Sequence, residues 1–194
     1  MNSHDKHQPD QPAQSQDHVV NNGPDESSAN FDSGEVQNFN GPQQFAHAVQ
    51  QCIVHSCEQG AVNLILCDAD FSAWPLDDDR VVSSLRAWAN STSNQRMLTM
   101  VAATYAIVEE QHGMWVRWRK TWDHRVQCKQ LSTLSSSDFP CIFWSQHCVL
   151  TLFEKKHYSG RVSFERQKIV QEKGRVNELI RQASPAFPAS TLGL

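Results

Sequence analysis

From Gln43 to Glu58, Phe45, Val49, Cys52 and Ile53 recur at the spacing of one helix face, and Gly60 stands where such a helix would stop. Ala61 to Cys67 follows as a nearly unbroken apolar run, the pattern of a strand buried on both faces. Asp77 then offers a cap, with Leu76 and Val81 at staple positions, for a helix whose stripe continues through Val82, Leu85 and Trp88. That helix ends in the polar cluster NSTSNQ, and Arg96 to Ala103 reads as a second strand. Thr104 to Trp122 reads as one long helix carrying Val108, Trp115, Trp118 and Trp122 on one side. Arg125 to Leu131 alternates as a strand does. After the Ser-rich loop 132–137 come two strands, Cys141 to Trp144 and Cys148 to Glu154, around a Ser145-Gln146-His147 turn. Gly160 marks a further turn, Arg161 to Phe164 a short strand, and Glu165 to Ala183 a last helix with Ile169, Val176 and Ile180.

Strands alternating with helices predict an α/β fold: a mostly parallel central sheet with an antiparallel hairpin and helices on both faces. The 194 residues suit one domain with a sizeable core. Its first forty or so residues carry almost no large apolar side chains, and such a composition does not offset the entropy of ordering a chain. The expected division is a disordered acidic tail at 1–36, an α/β domain at 37–184 and a docking segment at 185–194. Phe187, Leu192 and Leu194 make that last segment a poor solvated tail.

Charge divides the same way. Lys6 stands against Asp5, Asp10, Asp17, Asp25, Glu26, Asp32 and Glu35, a tail of about −6. With −4 on the whole chain, the body from Gly41 is near +2. So small a charge favours neither an extended nucleic-acid footprint nor a polybasic membrane anchor. The start lacks a basic, then apolar, leader, and the longest apolar segments are too short to span a bilayer. A cytoplasmic protein is expected, and its six cysteines read as reduced thiols in or near the core.

The element order, together with LILCDADFSAWPL, WRKTWDHRVQC and the ending SPAFPASTLGL, resembles an uncharacterised bacterial family that looks like a single, degenerate half of the phospholipase D fold. The resemblance covers roughly residues 37–194. Active enzymes of that fold use His-x-Lys-x4-Asp, in which imidazole attacks phosphorus, the ammonium neutralises phosphate and the carboxylate supports the histidine. Of the nine histidines only His4 has a lysine two places on, and Gln11 stands where its aspartate belongs. If Ser145 takes the aspartate's place at the hairpin turn, Asp138 and Pro140 take those of histidine and lysine. None of the three has the required chemistry. Since active relatives pair two halves across one site, the resemblance implies a homodimer.

Other constellations remain. Asp68 and Asp70 end the first strand, where open α/β folds place ligands, and carboxylates so grouped suit Mg²⁺. Asp77, Asp78 and Asp79 read more simply as helix-capping groups. Cys52, His55 and Cys57 do not converge, because a helix sets the two cysteines some 500° apart at about 100° per residue. MWVRWRKTWDHR interleaves tryptophans with cations, a mixture that stacks bases and contacts phosphates, although Trp115, Trp118 and Trp122 also have the spacing of a buried face. No Gly-rich phosphate loop, G-x-S-x-G elbow or H-E-x-x-H is present.

The leading expectation is a non-catalytic binding or assembly module without cofactor or metal. Asp68, Asp70, Trp74, Trp122, His124 and Arg125 are its candidate ligand-binding residues. A homo-oligomer or protein partner is expected, and neither membrane nor nucleic acid. The alternatives are a metal-assisted phosphohydrolase using Asp68 and Asp70, and a nucleic-acid module working through the Trp-Arg helix.

Overall fold

A computed structural model describes residues 36–91 and 96–189, together with Met1. The proposed tail therefore lies outside the described residues except at its two ends, as do Leu192 and Leu194. Eight strands form one open sheet: β1 (Gln37–Phe39), β2 (Asn63–Asp68), β3 (Met97–Ala102), β4 (Val126–Gln130), β5 (Ile142–Ser145), β6 (Val149–Glu154), β7 (Ser159–Ser163) and β8 (Ser184–Pro185). Their spatial order is β1-β7-β6-β5-β2-β3-β4-β8. Five helices accompany them: α1 (Pro42–Glu58), α2 (Asp79–Ala89), α3 (Ala106–Gln111), α4 (Gly113–Thr121) and α5 (Arg166–Gln182).

The expected mostly parallel sheet is corrected. Only β2–β3 and β3–β4 pair in parallel. The pairs β1–β7, β7–β6, β6–β5, β5–β2 and β4–β8 are antiparallel. The reason lies in the connections: among neighbouring strands, helices link only β2 to β3 and β3 to β4, whereas α1 and α5 link strands that do not lie side by side. Short turns join β5 to β6 and β6 to β7, and a short turn brings the chain back antiparallel. The architecture is a mixed α/β fold.

Alternation along β2 sorts the core into two layers. Leu64 and Leu66 pack with α1, α2 and α4, through residues such as Ile53, Leu85 and Trp118. Ile65 and Cys67 face the other way and pack with Ile169, Val176 and Leu179 of α5. Register carries this alternation onto β5, where Phe143 lies opposite Leu66 and Trp144 opposite Ile65.

Local chemistry sets the helix ends. Gly60, at φ +69°, closes α1 in a Schellman turn: its N–H donates to the Cys57 carbonyl and that of Ala61 to the Ser56 carbonyl. The cap of α2 is Asp78 rather than Asp77, its Oδ1 accepting from the N–H groups of Arg80 (2.9 Å) and Val81 (3.2 Å). Asp77 instead accepts from the N–H of Met114 at 2.5 Å, tying this loop to the start of α4. The long helix expected at 104–122 is two helices. Its break is His112, which is buried and whose Nε2 meets the Phe71 carbonyl at 3.0 Å, drawing the backbone out of helical geometry just before Gly113. No helix among the described residues is long and apolar enough to cross a membrane.

The described C-terminal residues lie along the β4 edge. Ala186 N–H donates to the Cys128 carbonyl, the Phe187 ring stacks on Tyr105 at 5.0 Å, and the buried Arg119 guanidinium lies 4.6 Å from that ring while donating to the Phe187 carbonyl. Phe187 holds φ +47°, a conformation a non-glycine residue keeps only when its surroundings enforce it. Deleting residues 185–194 is expected to lower unfolding free energy by about 2–4 kcal/mol, the cost of a lost aromatic anchor and its hydrogen bonds. Urea denaturation of the shortened chain checks this, and an unchanged midpoint contradicts it.

Candidate functional site

Of the concave regions on the described surface, two gather residues singled out in the sequence: a cleft at the carboxyl end of β2 and a groove running between α2 and α4. One stands at the carboxyl end of β2, where Asp68, Asp70, Ser72, Ser136, Lys155 and Tyr158 line a cleft of about 170 Å³. Asp68 Oδ1 accepts from the N–H groups of Asp70 (3.1 Å) and Phe71 (2.9 Å), and Asp70 Oδ1 from that of Ser72 (2.9 Å). Lys155 Nζ spans the cleft to the Ser136 carbonyl at 2.5 Å. One oxygen of each carboxylate thus folds the loop that follows β2. Among the described residues no three His, Cys, Asp or Glu side chains come together as metal ligands.

β5 begins beside this cleft, since Ile142 pairs with Cys67, and it ends at the far edge, where Ser145 pairs with Leu64. Asp138 is exposed and bonded within its own loop to Ser135. Ser145 is wholly buried: its Oγ lies 2.8 Å from Ser56 Oγ and accepts from the N–H groups of His147 and Cys148, both at 3.1 Å. The turn that the sequence sets at a hairpin tip is therefore a tether between the hairpin and α1. Burial lowers the His147 pKa, which favours its neutral imidazole.

The second region is a groove of about 440 Å³ between α2 and α4. Val82, Arg86 and Asn90 line it from α2; Met114, Arg117, Trp118 and Thr121 line it from α4, with Trp122 just beyond. No carboxylate is among these. Neither Arg86 nor Arg117 forms an ion pair among the described residues. Trp115 and Trp118 are buried while Trp122 is half-buried at the groove wall, so the Trp-Arg helix serves the core with one face and presents cations on the other.

The six residues singled out in the sequence thus do not form one site. Asp68 and Asp70 share the cleft. Trp74 is buried, packed edge-on against Phe71 (5.2 Å) and against Phe45, which stands in the cleft wall (6.1 Å). Trp122, His124 and Arg125 precede β4, whose first residue Val126 is level with Leu98 and Leu64 at the other edge. That edge lies four residues, roughly 13 Å, from the level of Asp68. The buried Arg125 guanidinium sits 5.9 Å from the Trp122 ring, and the exposed His124 flanks the same indole at 5.9 Å. Arg86 and Asn90 escaped the sequence reading. Their only signal was the 82-86-90 line on α2, which acquires meaning once α2 packs on α4.

All six cysteines are free and buried. Burial raises the Cys57 thiol to about 12 and the Cys128 thiol to about 11; burial, then the neighbouring Asp68 carboxylate, raises Cys141. A thiol raised in the fold contributes stability that is complete below the unfolded value, roughly 8.5, and is lost as pH climbs toward the folded one. Thermal stability is therefore expected to fall between about pH 8.5 and 12, and native protein at pH 7.5 is expected to leave an aromatic disulfide reagent unreacted until denaturant is added. Rapid reaction of one native thiol contradicts this.

No family model and no curated protein sequence matches the chain. Solved structures do. TrmBL2, an archaeal chromatin protein described as showing a novel mode of DNA binding, superposes with TM-score 0.56 at 11% identity over 80% of this chain. The match covers 55% of the TrmBL2 chain, so this protein spans only about half that length. NucT from Helicobacter pylori, a nuclease of the phospholipase D family, superposes with TM-score 0.51 at 9% identity, covering 78% of this chain and 99% of its own. These neighbours correct the expectation that set nucleic acid aside, since both bind it. Net charge sums over the whole body and leaves local arrangements out of view, such as Arg86 and Arg117 on one carboxylate-free groove. In fold, the chain is similar to the phospholipase D-like nuclease NucT.

Proposed function

We propose that this chain is a nucleic-acid-binding module on a phospholipase D-like scaffold that does not hydrolyse phosphodiesters. The observation that carries the reading is the α2–α4 groove, where two guanidiniums without ionic partners face a space lined by no carboxylate. Guanidinium forks match phosphate oxygens and form the stronger, charge-assisted class of hydrogen bond. The fold neighbours lend support, TrmBL2 through its DNA binding and NucT through its phospholipase D family. The absence of catalysis rests on the cleft, whose walls carry no histidine and whose lysine is bonded to a backbone carbonyl.

Binding of a fluorescent mixed-sequence DNA, followed by anisotropy between about 50 and 200 mM salt, tests the reading. Affinity is expected to fall with salt, and the double variant Arg86→Ala, Arg117→Ala to flatten the log–log slope by about 1.5, near the 0.7–0.9 per phosphate contact of counterion release. Salt-dependent binding with the same slope in the double variant would place the interface elsewhere. In parallel, a bis-aryl phosphodiester is expected to remain intact. Turnover that survives deletion of residues 1–35, which removes the lone His4-x-Lys6 pair, contradicts the non-catalytic half of the proposal.

A further inference from the structure

Beyond general affinity for nucleic acid, and resting on that reading, we infer that the α2–α4 groove is a subsite for one unpaired nucleotide of a single strand. Its phosphate lies between Arg86 and Arg117, and its base lies against Trp122. The groove's volume, about 440 Å³, falls within the roughly 300–1,000 Å³ of small-ligand pockets, ample for one nucleotide. Its lining has the three parts such a ligand needs: paired guanidiniums for the phosphate, Asn90 and Thr121 as hydrogen-bonding groups, and an aromatic wall in Trp118 and Trp122.

Helix dipoles account for only one of the two cations. A helix C-terminus favours positive charge, which explains Arg86 in the last turn of α2. Arg117 lies outside the last turn of α4, where Arg119 and Lys120 already serve that end. Two like charges on one groove repel each other, and among the described residues no carboxylate relieves them; an anionic ligand does. The geometry also selects the strand. Duplex DNA offers phosphates on its surface but keeps base faces stacked inside, so only an unpaired base reaches an indole set in a groove between helices. Trp122 is held ready for this, half-buried and braced by the buried Arg125.

Anisotropy titrations of the full chain with fluorescein-labelled oligothymidylate and with a duplex of equal length decide the matter. The single strand is expected to bind at least about tenfold tighter, and Trp122→Leu to weaken it by about 5- to 150-fold, the range for losing one base stack, with duplex affinity unchanged. Because Trp122 also packs on the core, Trp122→Phe and the exposed-site variant Arg117→Ala accompany it; the first is expected to retain most single-strand affinity and the second to lose several-fold. Equal affinity for both nucleic acids, indifferent to Trp122, overturns the subsite while leaving the broader reading intact. Failure of both nucleic acids to bind overturns both readings. Thymidine monophosphate displacing the probe as well as an unlabelled strand does assigns the groove to free nucleotides and overturns the strand.

Discussion

The position of β2 between a parallel neighbour and an antiparallel one is the constraint on which this structure turns. All six of its residues pair with β3 on one side, Leu64 to Cys67 pair with β5 on the other, and those four side chains are buried on both faces. The first pairing fixes where α2 and α3–α4 cross over, and so brings α2 against α4. The second sets the register of the β5–β6 hairpin, so that Ser145 meets Ser56 on α1 and the loop before β5 comes to the cleft. The cleft at the carboxyl end of β2 and the groove between α2 and α4 are both consequences of this one strand.

This placement separates inherited geometry from available chemistry. The cleft at the carboxyl end of β2 is where an open α/β sheet offers a site. Here its carboxylates accept backbone N–H groups and its lysine donates to a carbonyl. Groups committed to holding a loop are poor acids, bases or nucleophiles. Between α2 and α4, the groove has guanidiniums without ionic partners among the described residues, and binding follows more readily from unspent donors than from satisfied ones.

Much of this was legible in the sequence, and what was not has physical causes. Apolar runs located β2 to β6 and α1, α2 and α5 to within a few residues, because both-face burial and helical stripes leave strong periodic signals. Strand direction left no such signal, since Ile142–Ser145 reads the same whichever way it pairs. The edge strands β1 and β8, three and two residues long, are too short to show a period. The break at His112 was hidden because its cause is a carbonyl forty-one residues away. Asp68 and Asp70 were found from their place at a strand end, and Trp122 from its mixture with cations. Arg86 and Asn90 belong to an ordinary amphipathic helix, and only packing against α4 gives them a role.

Hydrogen–deuterium exchange of the full chain with and without a saturating single-stranded oligonucleotide tests the central claim most directly, because it reports whether the ligand covers the groove or the cleft. The account predicts added protection in peptides spanning 82–90 and 113–125, with residues 68–73 and 136–158 unchanged. Protection confined to 68–73 and 136–158 would contradict it and return the ligand to the cleft at the end of β2.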